Sequence, residues 1–135
     1  MTTPRCFLLL ALLVAGLAAA PAGKIPGQSY FGEKNYVEHV AGDLPIVLTS
    51  PHGGRLKPGA IATRTKGVTE MDANTQELAR AVLDALHARS GRHAHLIASH
   101  LHRSKLDPNR EIIEAAQGDP IAERTWREFH ATIKG

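Results

Sequence analysis

Two short apolar runs flank one amphipathic helix in this chain, and that order restricts the possible folds more than any other feature. Ile46-Val47-Leu48-Thr49 and His95-Leu96-Ile97-Ala98-Ser99 have the length and the composition of buried strands. Between them the spacing predicts a helix that starts near Thr69, with Thr69 or Asp72 capping the free amides of its first turn. Leu78, Val82 and Leu86, with Ala79 and Leu83 beside them, form the apolar stripe of a helix lying on a core. Gly91 is the stop signal, with Arg89 in the last turn. A β-loop-α-β unit of this kind implies parallel strands and a right-handed crossover.

The flanking segments extend this unit within a single domain, which is what 135 residues accommodate. Residues 23–35 carry Gly, Pro, Gln and Ser and read as a flexible lead-in. Tyr36 to Val40 is a further short strand, closed by the turn residues Ala41-Gly42-Asp43. Pro51 to Lys66 is polar and glycine-bearing, a loop over the site. Pro108 to Gln117 has the pattern of a short helix. Gly118-Asp119-Pro120 restarts the chain, with Asp119 as cap and Pro120 at the first helical position. Ala122, Trp126, Phe129 and Ile133 then share one face.

The first 22 residues follow another logic. A single Arg5 precedes an apolar stretch from Phe7 to Ala20, and small residues stand at Ala18, Ala20 and Ala22. This is the pattern of a secretory signal peptide over residues 1–22, short of the roughly 20 apolar residues of a spanning helix. The expectation is an exported protein, periplasmic or secreted, with no membrane attachment after cleavage. The one cysteine, Cys6, leaves with the signal, so any metal must be held by His, Asp or Glu. Net charge is +3 with acids and bases interleaved, and aromatics are 4%. Neither feature suits a nucleic-acid surface, which needs a basic stripe and stacking platforms.

Three polar clusters exceed what a plain core requires. Ser50-Pro51-His52-Gly53-Gly54 delivers an imidazole at a strand's C-terminal end, where α/β enzymes place ligand groups. Its glycines leave space for a metal or substrate to approach the backbone. Asp72 and Glu77 stand at the mouth of the long helix, able to join His52 around an ion or to cap the helix and offset its dipole. Arg103-Ser104-Lys105-Leu106-Asp107-Pro108-Asn109-Arg110 follows the second core strand. Arg103 and Arg110 offer forked donors for carboxylates, with Asp107 and Asn109 placed to orient them. His93 with His95, and His100 with His102, alternate so that each pair would share a face of an extended chain.

These motifs, in this order, resemble the N-formylglutamate amidohydrolase family. The likeness rests on Pro51-His52-Gly53-Gly54, on Asp72 with Thr75-Gln76-Glu77-Leu78-Ala79, on Arg103 to Arg110, and on Trp126-Arg127-Glu128-Phe129-His130. It spans about residues 45–133 and implies a zinc-dependent hydrolase of an amide bond, related in fold to the zinc exopeptidases. The implied architecture is α/β, a three-layer α/β/α domain with a mixed, largely parallel sheet, of which residues 36–135 form the N-terminal part. The resemblance makes His52 a ligand of zinc or another divalent metal, with Asp72, or else Glu77, as a second. It assigns Arg103, Asn109 and Arg110 to the carboxylates of an N-formyl or N-acyl acidic amino acid, and His130 to the scissile carbonyl. The family's further metal-binding histidine, in an Asp-x-His segment, has no counterpart in this sequence, so little turnover is expected from the chain alone. Two other readings remain open: an exported, non-catalytic metal binder using its histidines, eight in all, and a zinc amidase acting on cell-wall peptides. Oligomeric state is not legible from the sequence.

Overall fold

A computed structural model describes residues 23–135; the segment expected to be a signal peptide, residues 1–22 with Cys6, lies outside the described residues. Four strands and three helices follow in the order β1 (Ser29–Phe31), β2 (Val37–Val40), β3 (Val47–Ser50), α1 (Thr75–Ser90), β4 (His95–Ser99), α2 (Ile112–Ala116) and α3 (Pro120–Lys134). The fold is mixed α/β, with sheet order β1-β2-β4-β3. The expected unit is present: β3 and β4 are parallel, with Thr49 opposite Ile97 and Ser50 opposite Ala98. The other two pairings among the described residues, β1 with β2 and β2 with β4, are antiparallel. No helix among the described residues is long and apolar enough to cross a membrane.

Beta-strand alternation distributes the core between two helices. Leu96 and Ala98 of β4 pack with Val40, Leu48 and the α1 residues Ala79 and Leu83. Ile97, between them in sequence, packs instead with Val37, Phe129 and Ile133 of α3. Leu96 and Ile97 are fully buried, each contributing roughly 1.5–3 kcal/mol by leaving water. A third cluster, Ile61, Leu101, Leu106, Ala115, Ala116 and Ala122, anchors the long 51–74 loop to α2 and α3.

Helix α1 differs from its sequence pattern at its start and on its face. It begins at Thr75, not near Thr69, because Asn74 adopts a left-handed conformation (φ 62°) that interrupts the helical path. No side chain caps it from the N-cap position, and the carboxylate of Asp72 is engaged elsewhere. Its buried side is the Ala79–Leu83 line, while Leu78 and Val82 remain 66% and 38% exposed. The stop at Gly91 matches expectation: its φ is 68° and its N–H donates to the His87 carbonyl. So does α3, where the Asp119 side chain accepts from the amides of Ile121 and Ala122 and Pro120 opens the helix.

The lead-in also differs, since residues 29–31 form the edge strand β1. The Ser29 hydroxyl donates to Glu38, the Gly27 amide to the Ala41 carbonyl, and the Ile25 amide to the Tyr30 hydroxyl. The first two tie the segment to β2 and the residue after it, and the third is local; composition reveals none of them.

The 51–74 loop is stitched down by two buried cations. The Arg64 guanidinium donates to the carbonyls of Val68, Lys66, Arg103 and Glu114. The Lys105 ammonium donates to the Ile61 carbonyl and the Thr63 hydroxyl. Leu56 extends the sheet by one parallel bridge to Leu101.

Candidate functional site

His52 sits just beyond the C-terminal end of β3, and Asp107 lies on the loop that follows β4. Parallel pairing brings both strands out at the same sheet edge, the position where open α/β sheets bind ligands. There the imidazole lies between two carboxylates. Its Nδ1 is 2.7 Å from Asp72 Oδ2 and its Nε2 is 2.7 Å from Asp107 Oδ1. Arg103 closes the ring: Nε donates to Asp107 Oδ2 at 2.9 Å and a terminal nitrogen to Asp72 Oδ1 at 3.2 Å.

Local backbone makes this arrangement possible. Gly53 has φ 88°, and a Cβ there would collide with the Thr75 hydroxyl. A Cβ on Gly54 would strike the backbone of His100 and Leu101. The space the glycines free is therefore filled by protein, not by a ligand, which corrects the expectation drawn from the motif. Their role is to let the loop lie against α1 and the end of β4, so that His52 faces Asp107.

The members of the ring differ in exposure. Asp107 is fully buried, while the side chain of Asp72 is 45% exposed. Burial alone would raise the Asp107 carboxyl, but hydrogen bonds and charge from His52 and Arg103 outweigh it and hold the group well below the usual carboxylate range. Asp107 is thus a permanent anion behind the ring. Asp72 faces a cleft that it lines together with His52, Leu48, Thr75, Leu78 and Val82.

The sequence-derived candidates separate on this frame. His52 and Asp72 meet, as expected. Glu77 does not join them; it is 59% exposed and pairs with Arg55 at 3.4 Å. Arg103 is only 9% exposed, and its donors are committed to the two aspartates, so here it orders the site from behind. Asn109 contributes a backbone N–H to Asp107 Oδ1 at 3.1 Å. Arg110 is half-exposed, 3.4 Å from Glu114. His130 Nε2 donates to the Pro108 carbonyl at 3.0 Å and the ring packs at a tilt against Trp126, whose own N–H donates to the Arg110 carbonyl. Together they clamp the loop that carries Asp107. His130 is not among the residues lining the cleft at His52.

The alternating histidines are dispersed. His93 stacks on His87, His95 on His39, His100 contacts Glu38, and His102 contacts Ser104. Asp107 as the partner of His52, and Arg64 as the hub of the loop, went unread in the sequence. The one available signal was Asp107's place in the Arg103–Arg110 motif, four residues after Arg103.

The donor chemistry suits a divalent ion in part. One imidazole nitrogen and one half-exposed carboxylate are ligands that zinc accepts, and an ion there would replace the hydrogen that Nδ1 shares with Asp72 while Asp107 holds the other ring nitrogen. Among the described residues no group of three or more His, Cys, Asp and Glu side chains is arranged to hold a metal ion. His52 and Asp72 fit as two ligands, one fewer than the three protein ligands of a catalytic zinc. No family model, no curated protein and no solved structure matches this chain.

Proposed function

We propose that this chain carries part of the pocket of a metal-dependent hydrolase that cleaves the amide bond of an N-formyl or N-acyl acidic amino acid. The observation that carries the reading is the placement of His52 between buried Asp107 and half-exposed Asp72 at the C-terminal edge of a parallel strand pair. His52 Nδ1 and Asp72 would hold the ion, zinc or another divalent metal. When bound, the metal would acidify a water molecule and polarise the substrate carbonyl. Asp107 holds the His52 ring by its Nε2–H, and Arg103 balances the two carboxylates. Leu48, Leu78 and Val82 give the cleft one apolar wall. Arg110, half-exposed, would have to exchange its Glu114 partner for a substrate carboxylate. In this reading the described sheet belongs to a three-layer α/β/α domain with a largely parallel sheet, and the protein is exported.

The signal-peptide pattern of residues 1–22 favours a second reading, a zinc amidase acting on cell-wall peptides outside the cytoplasm. A substrate panel of formylated amino acids and muropeptides separates the two. The shared premise is tested by metal analysis of the purified chain. The expected result is one zinc retained by the parent and lost in His52→Ala; equal metal content in both would end the metallohydrolase reading.

A further inference from the structure

Immediately beside the His52 cluster lies a second polar pocket that the reading above does not use. Lys57, Thr63, Glu70, His102, Ser104 and Lys105 line it. Two of its lining residues are chain neighbours of the site, since Met71 precedes Asp72 and Ser104 follows Arg103.

Three nitrogen donors turn toward this space with capacity left over. The Lys105 ammonium is 9% exposed and has three hydrogens, of which the Ile61 carbonyl (2.7 Å) and the Thr63 hydroxyl (2.9 Å) take two. His102 has a defined tautomer: its Nδ1 faces the Ser104 N–H at 3.1 Å, a group that can only donate, so the neutral ring carries its hydrogen on Nε2. No described residue accepts from that Nε2, and burial followed by the charge of Lys57 favours the neutral ring. Lys57 itself is exposed and makes no ion pair among the described residues. Two acids stand against these: exposed Glu70 in the pocket wall, whose carboxylate accepts from the Thr69 amide, and Asp119, which feels the Lys105 charge but is committed to the amides of Ala62, Ile121 and Ala122. A buried ammonium, a free imidazole N–H and an exposed ammonium suit a single carboxylate group.

We propose that the Lys57–His102–Lys105 pocket binds the side-chain carboxylate of the substrate and so selects acidic amino acids. This rests on the hydrolase reading for the identity of the ligand, but it moves side-chain recognition away from Arg103, whose donors are already taken. Lys105 forms the floor, His102 the wall, and Lys57 closes over the bound group.

The test uses the full chain and two probes, N-acetyl-L-glutamate and N-acetyl-L-glutamine, which share an α-carboxylate and differ only in the distal group. The His102 ring signals are followed by NMR during each titration. The glutamate probe is expected to shift them and to bind about tenfold tighter than the glutamine probe. Lys57→Gln, a change at an exposed position, is expected to remove that preference. Equal binding of the two probes, or a preference that survives Lys57→Gln, overturns the proposal. Zinc content, measured in parallel, keeps the two ideas apart. Normal zinc binding with no preference removes the pocket alone; a preference without zinc binding removes the hydrolase reading and leaves a carboxylate pocket.

Discussion

Asp107 Oδ1 lies 2.7 Å from His52 Nε2, and the same carboxylate takes the Nε–H of Arg103 on its other oxygen. One buried anion thereby orients the imidazole and neutralises the guanidinium. Asp107→Asn keeps the shape but leaves Arg103 buried with a single anionic partner, half-exposed Asp72. Removing one partner of a buried charge pair costs about 3–5 kcal/mol. Denaturant unfolding should show a loss of that order, and zinc affinity should fall about 10–100-fold. A variant with unchanged stability would mean that the ring of charges is not formed in solution.

Glu38 predicts a specific acid sensitivity. Burial would raise its carboxyl, but hydrogen bonds from Arg80, Ser29 and His100 and the charge of Arg80 bring it from 4.5 down to about 2. Because the folded value lies below the unfolded one, the stabilisation is complete above the unfolded value and disappears as pH falls through the folded one. Its size is at most about 3 kcal/mol. Stability measured from about pH 6 to pH 2 should fall more steeply in the parent than in Glu38→Gln; parallel curves would contradict the network.

Arg64 should behave as the pin of the 51–74 loop. Arg64→Ala leaves the buried carbonyl of Arg103 without its donor, and an orphaned group of this kind costs about 1–3 kcal/mol. Limited proteolysis should open the chain between residues 62 and 70 in the variant well before the parent is cut. A cleavage pattern identical to the parent's would show that the guanidinium is dispensable.

The glycines of the loop should differ sharply. Gly54→Ala places a methyl group against the backbone of His100 and Leu101, which flexible side chains cannot relieve. Overpacking of this kind costs about 1–3 kcal/mol or more. Gly59 has nothing within 4 Å of its would-be Cβ, so Gly59→Ala should stay within about 0.5 kcal/mol of the parent. Thermal unfolding of the two variants side by side checks the difference.

Much of the frame was legible from local pattern. The β3-α1-β4 unit, the Gly91 stop, the Asp119-Pro120 start of α3 and its buried Ala122 and Phe129 all follow from periodicity and capping chemistry. The start of α1 was not, because the Asp72 side chain that was read as a cap is taken by His52 and Arg103. Of its apolar stripe, Ala79 and Leu83 meet the sheet while Leu78 and Val82 stay exposed, since which apolar line is covered depends on how the helix is seated. The strand at residues 29–31 was missed because its pairing partner, not its composition, makes it a strand.

For the site, the sequence by itself determined which chemistry is present: an imidazole at a strand end, carboxylates before the helix, and an arginine-rich loop after the next strand. It could not determine which of these touch. Asp72 and Glu77 are five residues apart, yet one reaches His52 and the other faces solvent with Arg55. Arg103 and Arg110 belong to one motif, yet one is sealed between two aspartates and the other is half-exposed. Those assignments depend on the close approach permitted at Gly53 and Gly54 and on the Arg64, Lys105 and His130 bonds that hold the loops in place. Each is a contact between segments far apart in the chain, which only the tertiary structure brings together.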